Sequence, residues 1–323
     1  MNFTQLENSD RFEGFALITE IEQKVSAKGE AYLDMTLSDS DGTINAKLWR
    51  YQPEVYGEYG LNDLVKIRGT ISEYKGNDQL KIERIRPALP EDNVKKEDFV
   101  KSAEYSREEM FNLLMSKVES FKDTDLKTLV LTIFSDYRDK LLLWPAAFKL
   151  HHAISGGLLM HTLSIVQLAE GVCKIYPFVD RDLLLSGAML HDIAKLSEFE
   201  VTELGTAEGY SVAGNLLGHI AMGTLLIDEY AKKLGISKKT AMLIEHMILS
   251  HHGEPEFGAA VRPMFIEAEI LSELDLMDSR IYEMKEAVEG LKNDEFSQRV
   301  WALDNRKLYN HSRTDLTKKP EIL

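Results

Sequence analysis

The sequence carries a single cysteine, Cys173, in 323 residues. No internal disulfide framework can form, and this usage fits a reducing compartment. The opening stretch MNFTQLENSD has neither a basic n-region nor an apolar core, so no signal peptide is expected. No apolar run reads as approaching membrane-spanning length. A soluble, cytoplasmic protein without a membrane partner is the resulting expectation. Positive charge is also in short supply: 38 basic residues face 53 acidic ones, for a formal net charge of −15. That balance argues against a general phosphate-backbone binder, though not against a local basic groove. Carboxylates that hold cations are counted as negative here, although bound ions would offset them. Internal repeats and low-complexity tracts are missing as well.

What is present is 44% hydrophobic and 28% charged, a globular composition with material for one large domain or two ordinary ones. Two textures divide the chain. Residues 11–88 hold five strand-like runs: FEGFALITEIEQKV, AYLDMTLSD, INAKLWRY, LVKIRGTISEYKG and QLKIERIRPAL. Turn chemistry separates them at Lys28-Gly29, Asp41-Gly42, Tyr59-Gly60 and Gly76-Asn77. In the fourth run Val65, Ile67 and Ile71 alternate with Lys66, Arg68 and Thr70, which predicts one buried and one solvated face. Five short strands in about 80 residues predict a small antiparallel barrel of the OB type. An SH3-like barrel or a small sandwich would give a similar pattern. The predicted boundaries are a barrel over 1–90, a linker over 91–105, a helical domain over 106–310 and a polar tail over 311–323. Ser106 and Glu109 read as a capping box at the first helix. The stretch 281–310 reads as a helical tail able to pack on a neighbour, so a homo-oligomer is a possibility.

The helical part has an unusual set of polar residues inside apolar sequence. His161 ends GGLLMHT, His191-Asp192 ends SGAMLHD, and His219 lies in GNLLGHIAMG. His251-His252 lies in ILSHHGEPEFG, and Asp275 in EAEILSELDLMDSRI. Any one histidine in such a setting is more simply a hydrogen-bonded core residue. Five such segments are harder to dismiss, because burying this many titratable groups is costly unless they are paired or bound to metal.

This order and spacing resembles the HD-domain metal-dependent phosphohydrolases. The resemblance implies one divalent metal at His161, His191, Asp192 and Asp275. It implies a second metal, bridged by Asp192, at His219 and His251, with His252 as a further ligand or catalytic group. Imidazole and carboxylate donors suit first-row divalent ions such as manganese, iron or nickel, manganese being the expected ion, and two cations can activate water and neutralise phosphoryl charge. Lys195, one helical turn beyond the His-Asp pair, is a candidate catalytic residue that holds a phosphate oxygen. A solvated lysine at a helix end is the plainer alternative. Asp278 shares a helix face with Asp275 and could orient a histidine. His246 and His311 read as structural or surface residues.

The segments HHAISGGLLMHTLSI, LLLSGAMLHDIAKL and SHHGEPEFGAAVRPMFIEAEILSELDLMDSRI narrow the resemblance to the YhaM-type 3′–5′ exoribonucleases of Gram-positive bacteria, over nearly the whole chain. That family tends toward Gly at Ala194 and toward Ser-Pro at Ala259-Ala260; none of these is a proposed ligand. The family joins an OB-fold to an HD domain, matching the two textures. It implies hydrolysis of single-stranded RNA, and by extension single-stranded DNA, from the 3′ end to 5′-mononucleotides. The barrel would grip the strand by stacking bases on aromatics and running phosphates along basic side chains. Trp49, Arg50 and Tyr51 supply that mix in one strand, and Lys66, Arg68, Lys81, Arg84 and Arg86 make the last two strands locally basic. Segment 1–90 nevertheless holds 11 basic and 15 acidic residues, so any basic groove must be narrow. His151 and His152 are further candidates for substrate contact. Two alternatives stay open at this level: an HD hydrolase of small or cyclic nucleotides, and a non-catalytic RNA-binding protein with a degenerate HD domain.

Overall fold

The structure is a computed structural model. It describes residues 3, 6, 8–39, 42–74, 77–100, 102, 103, 105–148, 154–255 and 258–321. The turn residues Asp41 and Gly76 and the candidate contacts His151 and His152 lie outside the described residues. The chain divides into two compact units, Met1–Lys101 and Ser102–Leu323.

The first unit is the expected barrel. Its strands are β1 (Arg11–Val25), β2 (Ala31–Ser38), β3 (Thr43–Trp49), β4 (Leu64–Tyr74) and β5 (Asn77–Pro87), with a single helical turn, α1 (Pro53–Tyr56), between β3 and β4. They close in the order β1-β2-β3-β5-β4, with β3 and β5 parallel and the other pairs antiparallel. The long β1 serves two partners: Arg11–Leu17 pairs with β4, and Leu17–Val25 with β2. A bulge between Ile18 and Glu20 bends the strand between these pairings. The alternation read from the sequence is what closes the barrel. Leu33, Met35, Leu37, Ala46, Leu48, Val65, Ile67, Ile71 and Leu80 point inward and are almost fully buried. The stretch expected as linker is not featureless. It contains 3-10 turns at Pro90–Asp92 and Lys96–Phe99, and the Phe99 ring packs 6.4 Å from Phe15 of β1.

The second unit is helical: α2 (Arg107–Glu119), α3 (Thr124–Asp136), α4 (Arg138–Leu141), α5 (Gly157–Ile175), α6 (Arg181–Leu190), α7 (Lys195–Glu198), α8 (Val212–Leu234), α9 (Lys238–Ser250) and α10 (Ile266–Val288). Their N-termini follow capping chemistry. Ser106, Asp123, Asp180, Ser211 and Ser237 each accept a hydrogen bond from the amide three residues on. Helix α5 corrects one expectation, because its length and mean hydropathy of 1.3 are those of a membrane span. Half of that stretch is buried inside this unit, where it packs against α2, α6 and α10 as a core helix.

Two further expectations are corrected. The domain is not purely helical, since β6 (Phe199–Val201) and β7 (Ala207–Tyr210) form an antiparallel hairpin between α7 and α8. Nor is 281–310 one helix. Helix α10 stops at Val288, Gly290 turns with φ +78°, and isolated bridges at Phe296–Tyr309 and Val300–Arg306 fold the remainder back on itself. Only Gly adopts such a φ without strain, so the helix ends there.

Candidate metal centre and nucleic-acid interface

Four imidazoles converge on one carboxylate. His191 Nε2 lies 3.3 Å and His161 Nε2 3.7 Å from Asp192 Oδ2, while His219 Nε2 lies 3.4 Å and His251 Nε2 3.7 Å from Oδ1. Asp275 Oδ1 stands 3.1 Å from His161 Nε2, and His252 packs against both His251 and His219. Two sets of potential ligand atoms lie close together, His161–His191–Asp192 and His219–His251–His252. The segments read as separate in sequence therefore meet at one point.

The local structure explains why each ring presents the same nitrogen. His191 and His251 both sit immediately after a helix, where the last carbonyls lack intrahelical partners. His191 Nδ1 donates to Ala188 O at 2.9 Å, and His251 Nδ1 donates to Ile248 O at 2.7 Å. A carbonyl only accepts, so the proton sits on Nδ1 and the Nε2 lone pair faces the site. His219 reaches the same tautomer through a carboxylate, with Glu198 Oε1 3.1 Å from its Nδ1, and His161 is oriented in the same way by Asp278, whose Oδ2 lies 2.8 Å from its Nδ1. Glu198 also accepts the His219 backbone amide at 2.9 Å. That grip requires a break in α8 at Gly218, whose φ of 70° and ψ of 161° are open to glycine alone.

The electrostatics follow from this crowding. Burial works to raise the Asp192 carboxyl, but Lys195 and His191 outweigh it and hold the group well below the usual carboxylate range. Burial likewise acts on Asp275 and is outweighed by its hydrogen bond with His161, which keeps this acid low. For His161 burial favours the neutral ring, yet the two acids beside it, Asp275 and Asp278, push it up to about 10. His251 moves the other way: burial, then the neighbouring His252 and His191 rings, hold it well below its ordinary value. Burial also lowers His252.

The site fits a divalent cation on a direct observation. Asp192 Oδ1, His219 Nε2 and His251 Nε2 are buried and have no hydrogen-bond partner. Orphaned buried acceptors of this kind are costly unless something positive lies between them, and imidazole with carboxylate is a donor set for first-row divalent ions. Lys195 is buried, with its Nζ 2.6 Å from Asp192 Oδ2, so the alternative of a solvated helix-end lysine is set aside. Asp278 takes the orienting position that its spacing suggested. Glu198 was missed. It lies in KLSEFEV among other acids, and nothing local distinguishes it from Glu200 until the hairpin folds and buries it. His246 is structural, accepting the Met264 amide at 3.0 Å, and His311 lies in an exposed turn.

On the barrel, the candidate contacts separate. Lys66, Arg68 and Arg84 line one groove of about 310 Å³, together with Arg86 and Glu13. Arg86 is held in a bidentate pair with Asp92, and Lys66 sits over the Phe15 ring. Lys81 is exposed on β5. Trp49 is part-exposed at the end of β3 and stacks on Tyr32 of β2 with centroids 4.5 Å apart. Lys47 reaches over that second ring. The expected single-strand set of Trp49, Arg50 and Tyr51 is corrected. The strand ends at Trp49, and Arg50 turns with φ 55° toward Glu30. Tyr51 swings into the core, where its hydroxyl donates to Gly57 O at 2.8 Å. Its ring is closed to a base, and Tyr32 is the aromatic partner that reading the strand alone did not identify.

Comparison with known proteins agrees with both units. An HD domain model matches residues 158–280, a model for OB-fold nucleic acid binding domains matches 16–88, and one described as a putative helicase matches 97–181. The chain is 37% identical to a 3′–5′ exoribonuclease YhaM of Bacillus licheniformis, over 91% of this chain and 93% of the relative. It is 36% identical to a protein of the same name from Listeria welshimeri, over 94% and 96% respectively.

Proposed function

The chain belongs to the YhaM family of 3′–5′ exoribonucleases, a metal-dependent hydrolase that acts on nucleic acid, and from that premise we propose that it removes 5′-mononucleotides from the 3′ end of single-stranded RNA and also of single-stranded DNA. Two divalent cations, manganese by preference, are the proposed cofactors. His161, His191, Asp192 and Asp275 would hold one; Asp192, His219, His251 and His252 would hold the other. A cation pair supplies a Lewis acid that acidifies water and neutralises charge on phosphoryl oxygens. The chain's own residues do the rest. The Nδ1 partners fix four imidazoles with Nε2 inward, so little movement of the rings is left for the reaction itself. Lys195, with its Nζ 2.6 Å from Asp192 Oδ2, would be the chain's own positive group for a non-bridging phosphate oxygen. His252, held toward the neutral form by burial, would be the group to pass a proton to the leaving oxygen if His219, His251 and Asp192 alone held the second cation.

The single observation that supports this reading is the convergence of four imidazole Nε2 atoms on Asp192 with three buried acceptor atoms left orphaned. On the barrel, Trp49 and Tyr32 would stack bases, while Lys66, Arg68 and Arg84 would run along phosphates. A cytoplasmic setting and self-association are part of the same proposal. The test is a manganese-loaded digestion of single strands blocked at either end. A 3′ block should stop release of mononucleotides and a 5′ block should not. Asp192→Ala should abolish hydrolysis while strand binding survives; persistent turnover in that variant would refute the bridging role.

A further inference from the structure

The hairpin β6–β7 and the start of α8 expose apolar side chains on the segment that joins Glu198 to His219. Tyr210 is 44% exposed, Val212 and Leu216 are each 77% exposed, and Leu217 is 53% exposed. Val212 and Leu216 are four residues apart on α8 and share a face. Four exposed apolar side chains within residues 210–217 are the composition of an interaction surface.

The surface is rigid and tied to the site by short links. Ser211 N donates to Glu198 O at 2.8 Å, Ser211 Oγ donates to Ser197 O at 2.8 Å, and Asn215 Nδ2 donates to Tyr210 O at 3.1 Å. Gly214 lies so close to Glu198 that a Cβ there would fall 2.2 Å from its carbonyl oxygen. The Glu198 carboxylate in turn holds His219. The Tyr210 ring is braced by Phe199 at 5.2 Å and Phe148 at 5.9 Å. A half-open ring in a braced aromatic cluster, with exposed aliphatic side chains following it in sequence, is thus linked through Glu198 to His219, a proposed ligand.

We propose that Tyr210, with Val212, Leu216 and Leu217, is the surface on which the bases of the substrate's terminal nucleotides stack as their phosphates meet the cations. This rests on the nuclease reading and adds to it the element that positions the strand. A strand that brings a phosphodiester to Asp192 must lay the adjoining bases against whatever flanks His219, and both faces of every base are apolar. Stacking is also tolerant of sequence, which suits an enzyme that works through successive nucleotides. The occupant is therefore a single-stranded nucleic acid and not a second copy of the chain.

The experiment uses the full-length, manganese-loaded protein and two short single strands, one ordinary and one with abasic residues at its 3′ end. In the wild type, removing the bases should raise KM about tenfold. Tyr210→Ala, and separately a Val212→Ser/Leu216→Ser double variant, should raise KM by a similar factor on the ordinary strand and cause no further loss on the abasic one. Tyr210→Phe, which keeps the ring, should restore the ordinary KM. Three outcomes overturn the assignment: unchanged KM in the alanine variant, equal losses on both strands, or a changed oligomeric mass in the double variant. A wild type that degrades the ordinary strand but shows no penalty for the abasic end refutes stacking and leaves the nuclease reading intact. A wild type inert on both refutes both.

Discussion

At the scale of single residues, the site is organised by what each histidine does with the nitrogen that does not face Asp192. Two rings satisfy helix-end carbonyls and two satisfy carboxylates. The difference predicts unequal sensitivity to pH. His161 lies between Asp275 and Asp278 and is pushed up to about 10, so without metal it carries a proton at neutral pH. A group raised in the fold stabilises the metal-free chain fully below its unfolded value near 6.5, and that contribution is lost as pH rises through about 10. Metal uptake at His161 must expel this proton, so affinity there rises with pH. His251 and His252 are shifted downward and have none to expel at neutral pH. Calorimetric titration with manganese in buffers of different ionisation heat should find about one proton released by the cation that engages His161. Release of none would contradict the charge state. The other orienting acid gives a second prediction. Glu198→Gln removes the negative partner of the His219 ring while preserving size, and should weaken cation binding by about 10- to 100-fold. Metal titration alongside a thermal melt checks it: lost stability with unchanged metal affinity would make Glu198 a packing residue only.

At the scale of elements, legibility followed periodicity. The barrel strands could be read because Leu33, Met35 and Leu37, or Val65 and Ile67, alternate over enough residues to define a face. The first helix start was legible from Ser106. The β6–β7 hairpin was not, because strands of three and four residues carry no period to detect. Tyr51 misled for a related reason: one turn residue, Arg50, reverses which side it faces. The residues that converge on Asp192 were legible through the order of residue types along the chain. Glu198 was not, because its role arises only when α7 folds against α8. Gly218 belongs to this scale too. Helix α8 must kink for His219 to meet Glu198, and any side chain at that φ and ψ costs about 1–3 kcal/mol. Gly218→Ala should straighten α8 and draw His219 away from Asp192, lowering affinity for the cation on that side about tenfold or more. The His161 side should load normally. Metal counting at saturating and limiting manganese distinguishes the two, and full occupancy at both would show that the kink is dispensable.

At the scale of the whole molecule, the chain joins two units with separate hydrophobic cores, one inside the barrel and one among the helices. Every proposed ligand lies in the second unit, while Trp49, Tyr32, Lys66, Arg68 and Arg84 lie in the first. The proposed chemistry and the barrel's proposed share of the grip thus fall in different stretches, and a net charge of −15 does not preclude nucleic-acid binding where the basic groove is local. If the barrel contributes only affinity, its removal should act through KM and in proportion to strand length. A strand too short to reach beyond the helical unit has nothing to lose, whereas a long one forfeits both phosphate and stacking contacts. Residues 102–323 expressed alone should therefore retain turnover on dinucleotides and lose about tenfold or more in kcat/KM on long single strands. The full chain's steeper salt dependence should disappear with the barrel, since each phosphate contact adds to that slope. Steady-state kinetics on a length series at two ionic strengths measures both effects. Equal kcat/KM on long strands with and without residues 1–101 would assign strand capture to the helical unit alone.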